Sequence, residues 1–178
     1  MSDAPFPPPP PPPAGGSWQQ PTPPGSLGGA PLASWGQRVG AYLLNMAFLM
    51  AAFIAVAIVA GILGAVVDFV GVLVGLVGYL GVTFASFYFY WLDGEVGASP
   101  GKRLLGLRTV KADTGQVIGG GMGIVRAIAH VADQIICGIG FLFPLWDEKR
   151  QTLADKIVGT VVLSGQPKGE LGPAIFKK

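Results

Sequence analysis

Charged side chains are scarce in this sequence, and their scarcity excludes several classes of protein. Only 12% of the 178 residues are Asp, Glu, Lys or Arg, whereas soluble domains carry about 25%. The net charge is +2, and the basic residues are spread between and after apolar segments, which does not indicate a nucleic-acid partner. One histidine and one cysteine are too few for a disulfide framework or a Cys/His metal site.

Motifs of catalysis are missing as well. The sequence contains no HExxH motif and no nucleophile beside a recognisable base. The stretch 97–103 resembles a phosphate-binding loop only superficially, because Val96 and Arg103 stand where that motif needs Gly and Ser or Thr. We therefore expect neither an enzyme nor a bound cofactor or metal. We expect Cys137, which lies in an apolar run, to be a buried and inert thiol.

Two long apolar runs dominate what the sequence does contain. Val39 to Val67 and Phe69 to Leu92 are separated only by Asp68, and neither includes Lys, Arg, Glu or His. Each is longer than the roughly 20 residues that cross the ~30 Å hydrocarbon core as a helix. The sequence therefore predicts an all-α membrane protein with a two-helix transmembrane hairpin. Because the amino terminus lacks the signal-peptide pattern, we expect the first run to be an uncleaved anchor.

The third apolar region, Gly123 to Trp146, carries ionisable side chains. Arg126, His130 and Asp133 are spaced by four and three residues, which places them on one face of an amphipathic helix. The region is either a third span or an amphipathic, re-entrant segment. The positive-inside rule favours the re-entrant alternative, because a third crossing would place Lys149 outside. The polar face is either a path for protons or cations or the wetted side of an interfacial helix.

The loop after the second run is basic and predicts the orientation. It contains Lys102, Arg103 and Arg108, whereas the turn at Asp68 has no cation. The positive-inside rule therefore places the loop and the amino terminus in the cytoplasm, for a multi-pass protein of the plasma membrane. The three cations are candidates to face anionic lipid headgroups or a partner.

A strand pattern lies within this loop. Apolar and polar residues alternate around an Asp-Thr-Gly turn, which predicts a small cytoplasmic β-hairpin with strands at 107–112 and 116–118. The β-branched run 160–163 is a candidate to add to this hairpin.

Small and polar residues in the two runs predict helix packing. Gly71 and Gly75 form a G-x-x-x-G spacing that lets the second helix pack closely on the first helix or on a second copy of the protein. Seven residues advance a helix by about 700°, close to two turns, so Arg38 and Asn45 share one face. Asn45 is either a hydrogen-bonding contact between helices or part of a polar path.

The chain divides into three parts by composition. Residues 1–34 are rich in Pro and Gly, with an unbroken run from Pro7 to Pro13, and are predicted to be a disordered cytoplasmic tail. This tail is either a spacer or a docking site for a partner that recognises Pro-rich motifs. Residues 35–163 form the predicted membrane domain, and residues 164–178 form a carboxyl-terminal tail.

Three motifs resemble those of a known family. The segments QRVGAYLLN (37–45), SPGKRLLGLR (99–108) and LWDEKRQTLADK (145–156) resemble the RDD family of bacterial membrane proteins. That family is named for one arginine and two aspartates. The resemblance places the arginine at Arg38, the first aspartate at Asn45 and the second at Asp155, with Asp133 as a rival. An amide at position 45 keeps hydrogen bonding but removes charge, so proton or cation chemistry there is not expected.

Two functional hypotheses follow. The resemblance implies transport of an unidentified ligand, including sodium or protons, and two spans per chain would require a homo-oligomer to enclose a route. In this hypothesis the candidate polar path is formed by Arg126, His130 and Asp133, together with Arg38 and Asn45. The alternative is a membrane-anchored adaptor that recruits partners or anionic lipids through its Pro-rich tail and basic loop.

Overall fold

The computed structural model describes residues 26–178, which form helices and two small antiparallel sheets. Strand Ser26–Leu27 pairs with Ala30–Pro31, and strand Arg108–Lys111 pairs with Thr160–Leu163. These residues also include two 3₁₀ helices, Ile139–Leu145 and Pro173–Phe176. The remaining elements are β1 (Ser26–Leu27), β2 (Ala30–Pro31), α1 (Trp35–Gly64), α2 (Asp68–Glu95), α3 (Pro100–Leu105), β3 (Arg108–Lys111), α4 (Gly120–Ile135), α5 (Leu153–Val158) and β4 (Thr160–Leu163).

The two longest helices are the predicted hairpin. Helix α1 has 30 residues and α2 has 28, and both are long and apolar enough to cross a membrane. A capping box fixes the start of α1, since Ser34 accepts from the backbone N–H of Gln37 and the Gln37 side chain accepts from the backbone N–H of Ser34. The chain reverses through 65–67, and α2 begins at Asp68, whose carboxylate suits a helix amino terminus. The expectation of two consecutive apolar helices long enough to span a membrane is confirmed.

Close packing of the hairpin depends on one glycine near its turn. A Cβ atom placed on Gly71 would lie 2.7 Å from the carbonyl oxygen of Ala60 and 2.8 Å from the backbone nitrogen of Gly64. A Cβ on Gly75 would lie 3.7 Å from the Cβ of Ala60, which is ordinary contact. Helix α2 therefore packs on α1 of the same chain, and Gly71 is the position that requires the missing side chain.

Gly71→Ala is expected to lower the free energy of unfolding by about 1–3 kcal/mol, because the new methyl group meets backbone that cannot rotate away. Thermal unfolding in detergent, followed by circular dichroism, measures this change. Gly75→Ala is the matched control and is expected to be neutral or slightly stabilising, since alanine favours a helix over glycine by about 1 kcal/mol. Equal losses in both variants would contradict the assignment of the contact to Gly71.

The predicted β-hairpin is correct in its first strand and its turn but not in its second strand. Strand β3 pairs in antiparallel register with β4, from Arg108 opposite Leu163 to Lys111 opposite Thr160. Residues 116–118 are not a strand. A single backbone hydrogen bond joins them to β3, in which the Lys111 N–H donates to the Gln116 carbonyl. All four residues of β4 are buried, so β4 gives β3 a longer row of buried cross-strand neighbours than the three-residue segment 116–118 can offer.

The third apolar region is bent. Helix α4 and the first 3₁₀ helix meet at 100° across a short break, where Gly138 has φ 77° and Cys137 has φ 55°. Glycine adopts this left-handed backbone readily, so the chain turns here instead of continuing as a helix. The bend has the geometry of a re-entrant segment or a broken span, the two alternatives that the sequence leaves open. The expectation that Cys137 is buried is wrong, because it lies exposed at the break.

Segments on both sides of the predicted membrane domain pack against it. Leu32 is buried with Val110 and Val161 on the β3–β4 sheet, although it lies within the tail predicted at 1–34. In the carboxyl-terminal segment, Ile175 is buried, and the Tyr88 hydroxyl donates to the Phe176 carbonyl. The Pro-rich run predicted to be disordered lies outside the described residues.

Candidate functional site

Five charged side chains form a buried network. It lies where the start of α1 and the end of α2 meet α3, α4 and α5. Arg126 lies at its centre, 3.0 Å from Asp93 and 2.7 Å from Asp155. Asp155 also pairs with Arg38 at 2.5 Å, and Asp93 pairs with Lys102 at 2.8 Å. We call these five residues the ion-pair network. It contains three cations and two carboxylates, so it carries one net positive charge when all five are ionised.

Local structure explains how each member reaches the network. Arg38 is in the first turns of α1 and Asp93 in the last turn of α2, and an antiparallel hairpin brings these ends together. Arg126 lies on the polar face of α4. Asp155 completes the capping box of α5 with Thr152. The network therefore ties together helices that are far apart in sequence.

Asp155 is completely buried and fully bonded. It accepts from Arg38 and Arg126, and the Thr160 hydroxyl donates to it at 3.0 Å. The Thr152 backbone N–H also donates to it at 3.2 Å. Burial alone would raise the pKa of Asp155, but the charges of Arg126 and Arg38 outweigh burial and hold this pKa well below its usual range. Asp155 is therefore a fixed anion at every physiological pH.

The side chain of Lys102 is largely buried. Its ammonium donates to both oxygens of Asp93 and to the Thr109 hydroxyl at 2.7–2.8 Å. The hydroxyl of Thr109 in turn donates to Asp93. Burial lowers the pKa of Lys102 to about 8, even though Asp93 favours its charged form. Lys102 therefore does not belong to a lipid-facing basic loop, and this part of the prediction is corrected, because pairing with Asp93 draws the side chain inward.

The other two cations of that loop lie nearer the surface. Arg103 donates to the Ala174 carbonyl at 2.9 Å and so holds the second 3₁₀ helix. Arg108 is exposed on β3. Of the three residues predicted to contact lipid or a partner, only these two remain available for that role.

Asn45 bonds α1 to the start of α3. Its amide nitrogen donates to the Ser99 hydroxyl at 2.9 Å, and its amide oxygen accepts from the Gly101 backbone N–H at 2.8 Å. A carboxylate at this position could still accept from the Gly101 N–H. It could bond Ser99 only if the Ser99 hydroxyl rotated so that it donated its hydrogen. The amide thus uses both its donor and its acceptor. Asn45 therefore makes a hydrogen-bonding contact between helices, one of the two roles predicted for it.

Asp133 caps a helix instead of facing an open path. It is completely buried, its oxygens accept from the backbone N–H groups of Leu153 and Ala154 at 2.8 and 3.4 Å, and His130 Nδ1 lies 2.7 Å from it. Gly140 packs so closely that a Cβ atom there would lie 2.8 Å from the Cβ of Asp133. Arg126, His130 and Asp133 do share one side of α4, but Arg126 pairs with Asp93 and Asp155, and Asp133, the partner of His130, also accepts from the start of α5.

A cavity of about 450 Å³ adjoins the ion-pair network. Arg38 and Asn45 both line it, in keeping with their seven-residue spacing on one helix face. Most of its other lining residues are aromatic or aliphatic. The lining residues are Trp35, Arg38, Val39, Tyr42, Asn45, Phe89, Tyr90, Asp93, Ser99, Lys102, Arg126, Ala127, His130, Val131, Gln134, Phe141, Pro144, Thr152 and Val162.

Arg38 lines the cavity, and part of its guanidinium lacks hydrogen-bond partners. Its Nη1 donates to Asp155, whereas no acceptor among residues 26–178 bonds its buried Nε or Nη2. Only 11% of the side chain is exposed. A buried donor without a partner costs about 1–3 kcal/mol, and more when the group is charged. Two adjacent guanidinium N–H groups match the two oxygens of a carboxylate or phosphate.

The sequence did not single out Asp93 or Thr109 as members of this site. Asp93 directly follows the second apolar run, which ends at Leu92. One signal was present, since a carboxylate directly at the end of a span needs a nearby cation or water. In the part of the chain that the structure describes, no group of three His, Cys, Asp or Glu residues could hold a metal ion.

Comparison with known proteins gives relatives but no structural match. The chain is 47% identical over 96 residues to the proline-rich antigen of Mycobacterium leprae (strain TN). It is 52% identical over 81 residues to the proline-rich antigen homolog of Mycobacterium tuberculosis (strain ATCC 25618 / H37Rv). These matches span 47% and 46% of this chain but only 39% and 34% of the relatives. No solved structure matches.

The family comparison covers most of the chain. The model of the RDD family matches residues 32–159. The matched range contains all five members of the ion-pair network and the capping boxes at Ser34 and Thr152. The chain belongs to the RDD family.

Proposed function

We propose that this membrane protein binds a small oxyanion in the cavity beside Arg38 and moves it across the membrane. The observation that carries the proposal is the pair of buried guanidinium N–H groups, Nε and Nη2, that have no acceptor in residues 26–178. A carboxylate or phosphate placed there would receive two parallel charge-assisted hydrogen bonds.

Charge balance favours an anion over a cation. Asp93 and Asp155 are each held by two cations, and Asp133 is engaged by two backbone N–H groups and His130. No carboxylate of this site is therefore left to bind sodium or a mobile proton. One bound anion would neutralise the net positive charge of the network, which makes its binding in a low-dielectric site favourable.

We further propose a homo-oligomer with this site on the cytoplasmic side of the plasma membrane. Two spans per chain are too few to enclose a route, so neighbouring copies would complete it. The basic residues Arg103, Arg108 and Lys156 lie on elements beside the network, and the positive-inside rule places that end in the cytoplasm. The adaptor hypothesis predicts no solute flux, so the experiment below also tests it.

Phenyl phosphate is a suitable probe for the anion site. Arg38→Lys is expected to weaken its binding by about tenfold or more, because one charge-assisted hydrogen bond contributes about 1.5–3 kcal/mol. The substitution keeps a positive charge for Asp155 but removes the forked N–H pair. Equilibrium dialysis of the purified full chain measures binding. Uptake of radiolabelled phenyl phosphate into proteoliposomes measures transport.

Lys149→Arg is the control, since it exchanges one cationic side chain for the other at an exposed position away from the cavity lining, and it is expected to bind like wild type. Absence of binding in wild type, or equal affinity in both variants, would overturn the anion site. Arg38-dependent binding without uptake above that of protein-free liposomes would keep the site and overturn transport.

A further inference from the structure

The cavity lies at the depth of lipid headgroups. Helix α1 has 30 residues and is therefore about 45 Å long, whereas the hydrocarbon core is ~30 Å thick. About ten residues of α1 must extend beyond the core. The turn between α1 and α2 carries a single charged residue, Asp68, so the extension falls at the other end, which holds Arg38 and Asn45.

The floor and the rim of the cavity differ in chemistry. Arg38, Asp93 and Arg126 form a buried, charged floor. Tyr42 on α1 and Val131 on α4 form part of the rim, and they are 56% and 53% exposed. The rim therefore combines apolar surface with an open side, while charge is confined to the interior.

The open side belongs to the surface that the hairpin presents to lipid. Tyr42 adjoins Leu43, which is 59% exposed on the same spanning helix, and Tyr90 on the rim is close in sequence to Phe87, which is 51% exposed. On two helices that cross a membrane, exposed apolar side chains contact lipid chains. A ligand can thus enter sideways from the bilayer without passing a charged barrier.

The size of the cavity exceeds the needs of a bare anion. Its volume of about 450 Å³ falls within the ~300–1,000 Å³ range of small-molecule sites. A free phosphate would occupy only the charged floor and would leave Tyr42, Tyr90 and Phe141 facing empty space. An apolar chain attached to the anion would cover these side chains.

From these observations we infer that the oxyanion bound by Arg38 is the phosphate of an anionic membrane lipid, whose headgroup enters the cavity between α1, α2 and α4 while its acyl chains stay in the bilayer. This inference rests on the proposed anion site and names its ligand class. The phosphate accepts from Nε and Nη2 of Arg38, and the glycerol and first chain carbons contact Tyr42, Tyr90 and Val131. Net positive charge in the floor selects an anionic headgroup over a zwitterionic one.

Trp35 lines the cavity and provides a fluorescent reporter. The full chain is placed in nanodiscs of phosphatidylcholine that contain increasing fractions of phosphatidic acid or phosphatidylcholine with brominated acyl chains, which quench tryptophan on contact. Brominated phosphatidic acid is expected to reach half-maximal quenching at an about tenfold lower mole fraction, which is the selectivity of one charge-assisted hydrogen bond. Lipids that merely surround the protein quench equally in both series.

Two variants and a soluble anion distinguish a lipid phosphate from a free anion as the ligand of Arg38. Arg38→Lys is expected to abolish the excess quenching, and the control Lys149→Arg to retain it. Dialysis of radiolabelled inorganic phosphate against the same nanodiscs tests the free anion as the source. Equal quenching by the two lipids would overturn the lipid inference. If phenyl phosphate then still binds through Arg38, the proposed anion site stands and takes its ligand from water, whereas loss of both signals overturns the two proposals together.

Discussion

Asp155→Asn is expected to lower the free energy of unfolding by about 3–5 kcal/mol, because removal of one partner from a buried ion-pair network leaves uncompensated charge. The substitution keeps the shape of the side chain but leaves Arg38 and Arg126 close together without the anion between them. It also replaces one of the two oxygens that accept from Arg38, Arg126 and Thr160 by an amide N–H₂ group, which cannot accept. Thermal and denaturant unfolding of the purified protein in detergent measure the loss.

Asp113→Asn is the matched control, since Asp113 is exposed in the turn after β3. This change is expected to alter stability by less than about 0.5 kcal/mol, as is usual for surface substitutions. If Asp155→Asn cost no more than Asp113→Asn, the network would be unnecessary for stability. Its role as the support that positions Arg38 would then be wrong.

Gly94→Val is expected to produce the second large effect, by separating α4 from α2. A Cβ atom on Gly94 would lie 2.7 Å from the backbone nitrogen of Gly123 and 2.8 Å from its Cα. The backbone of Gly123 cannot rotate away as a side chain could, so α2 and α4 must move apart. The distance between Arg126 and Asp93 then increases. Overpacking costs about 1–3 kcal/mol, and an opened buried pair adds about 3–5 kcal/mol. Thermal unfolding and phenyl phosphate binding measure the two consequences.

Gly81→Val is a control on the same helix. No atom lies within 4 Å of a Cβ placed on Gly81, so valine there projects into free space. We expect stability and phenyl phosphate binding close to wild type. A comparable loss in both variants would indicate a general effect of valine on α2 and would contradict a specific contact at Gly94.

The ion-pair network and the cavity form one functional arrangement in this structure. Arg38 belongs to both, since Nη1 is fixed by Asp155 and the side chain lines the cavity. Arg126 is held on both sides by carboxylates and does not move freely toward a ligand. The network therefore holds Arg38 in place before a ligand arrives, which reduces the entropy lost on binding.

Some elements follow from local sequence patterns. The two apolar runs predicted the hairpin because an unbroken run of that length has no alternative structure in a bilayer. The seven-residue spacing placed Arg38 and Asn45 on one face because helix geometry is fixed. The strand at Arg108–Lys111 followed from alternation, and the β-branched run 160–163 was a candidate to join it, which the pairing of β3 with β4 confirms.

The surroundings of the charged residues could not be predicted in the same way. Lys102 has the composition of a surface loop, and only its contact with Asp93 draws it inside. Asp133 has the spacing of a polar path, and only the position of α5 makes it a cap. Cys137 lies in an apolar run, and only the left-handed turn exposes it. In each case the neighbour that decides the outcome is distant in sequence or depends on a backbone turn.

By itself the sequence determined the solvent of this protein, its two spanning helices and its family, because hydrophobic run length and contiguous motifs are local properties. Only the tertiary structure decided which charges neutralise one another and which remain unsatisfied. Arg38 and Asp155 are 117 residues apart in the chain and 2.5 Å apart in space. Ion pairing and cavity shape depend on such distances, so the two free N–H groups of Arg38 become visible only when the helices are assembled.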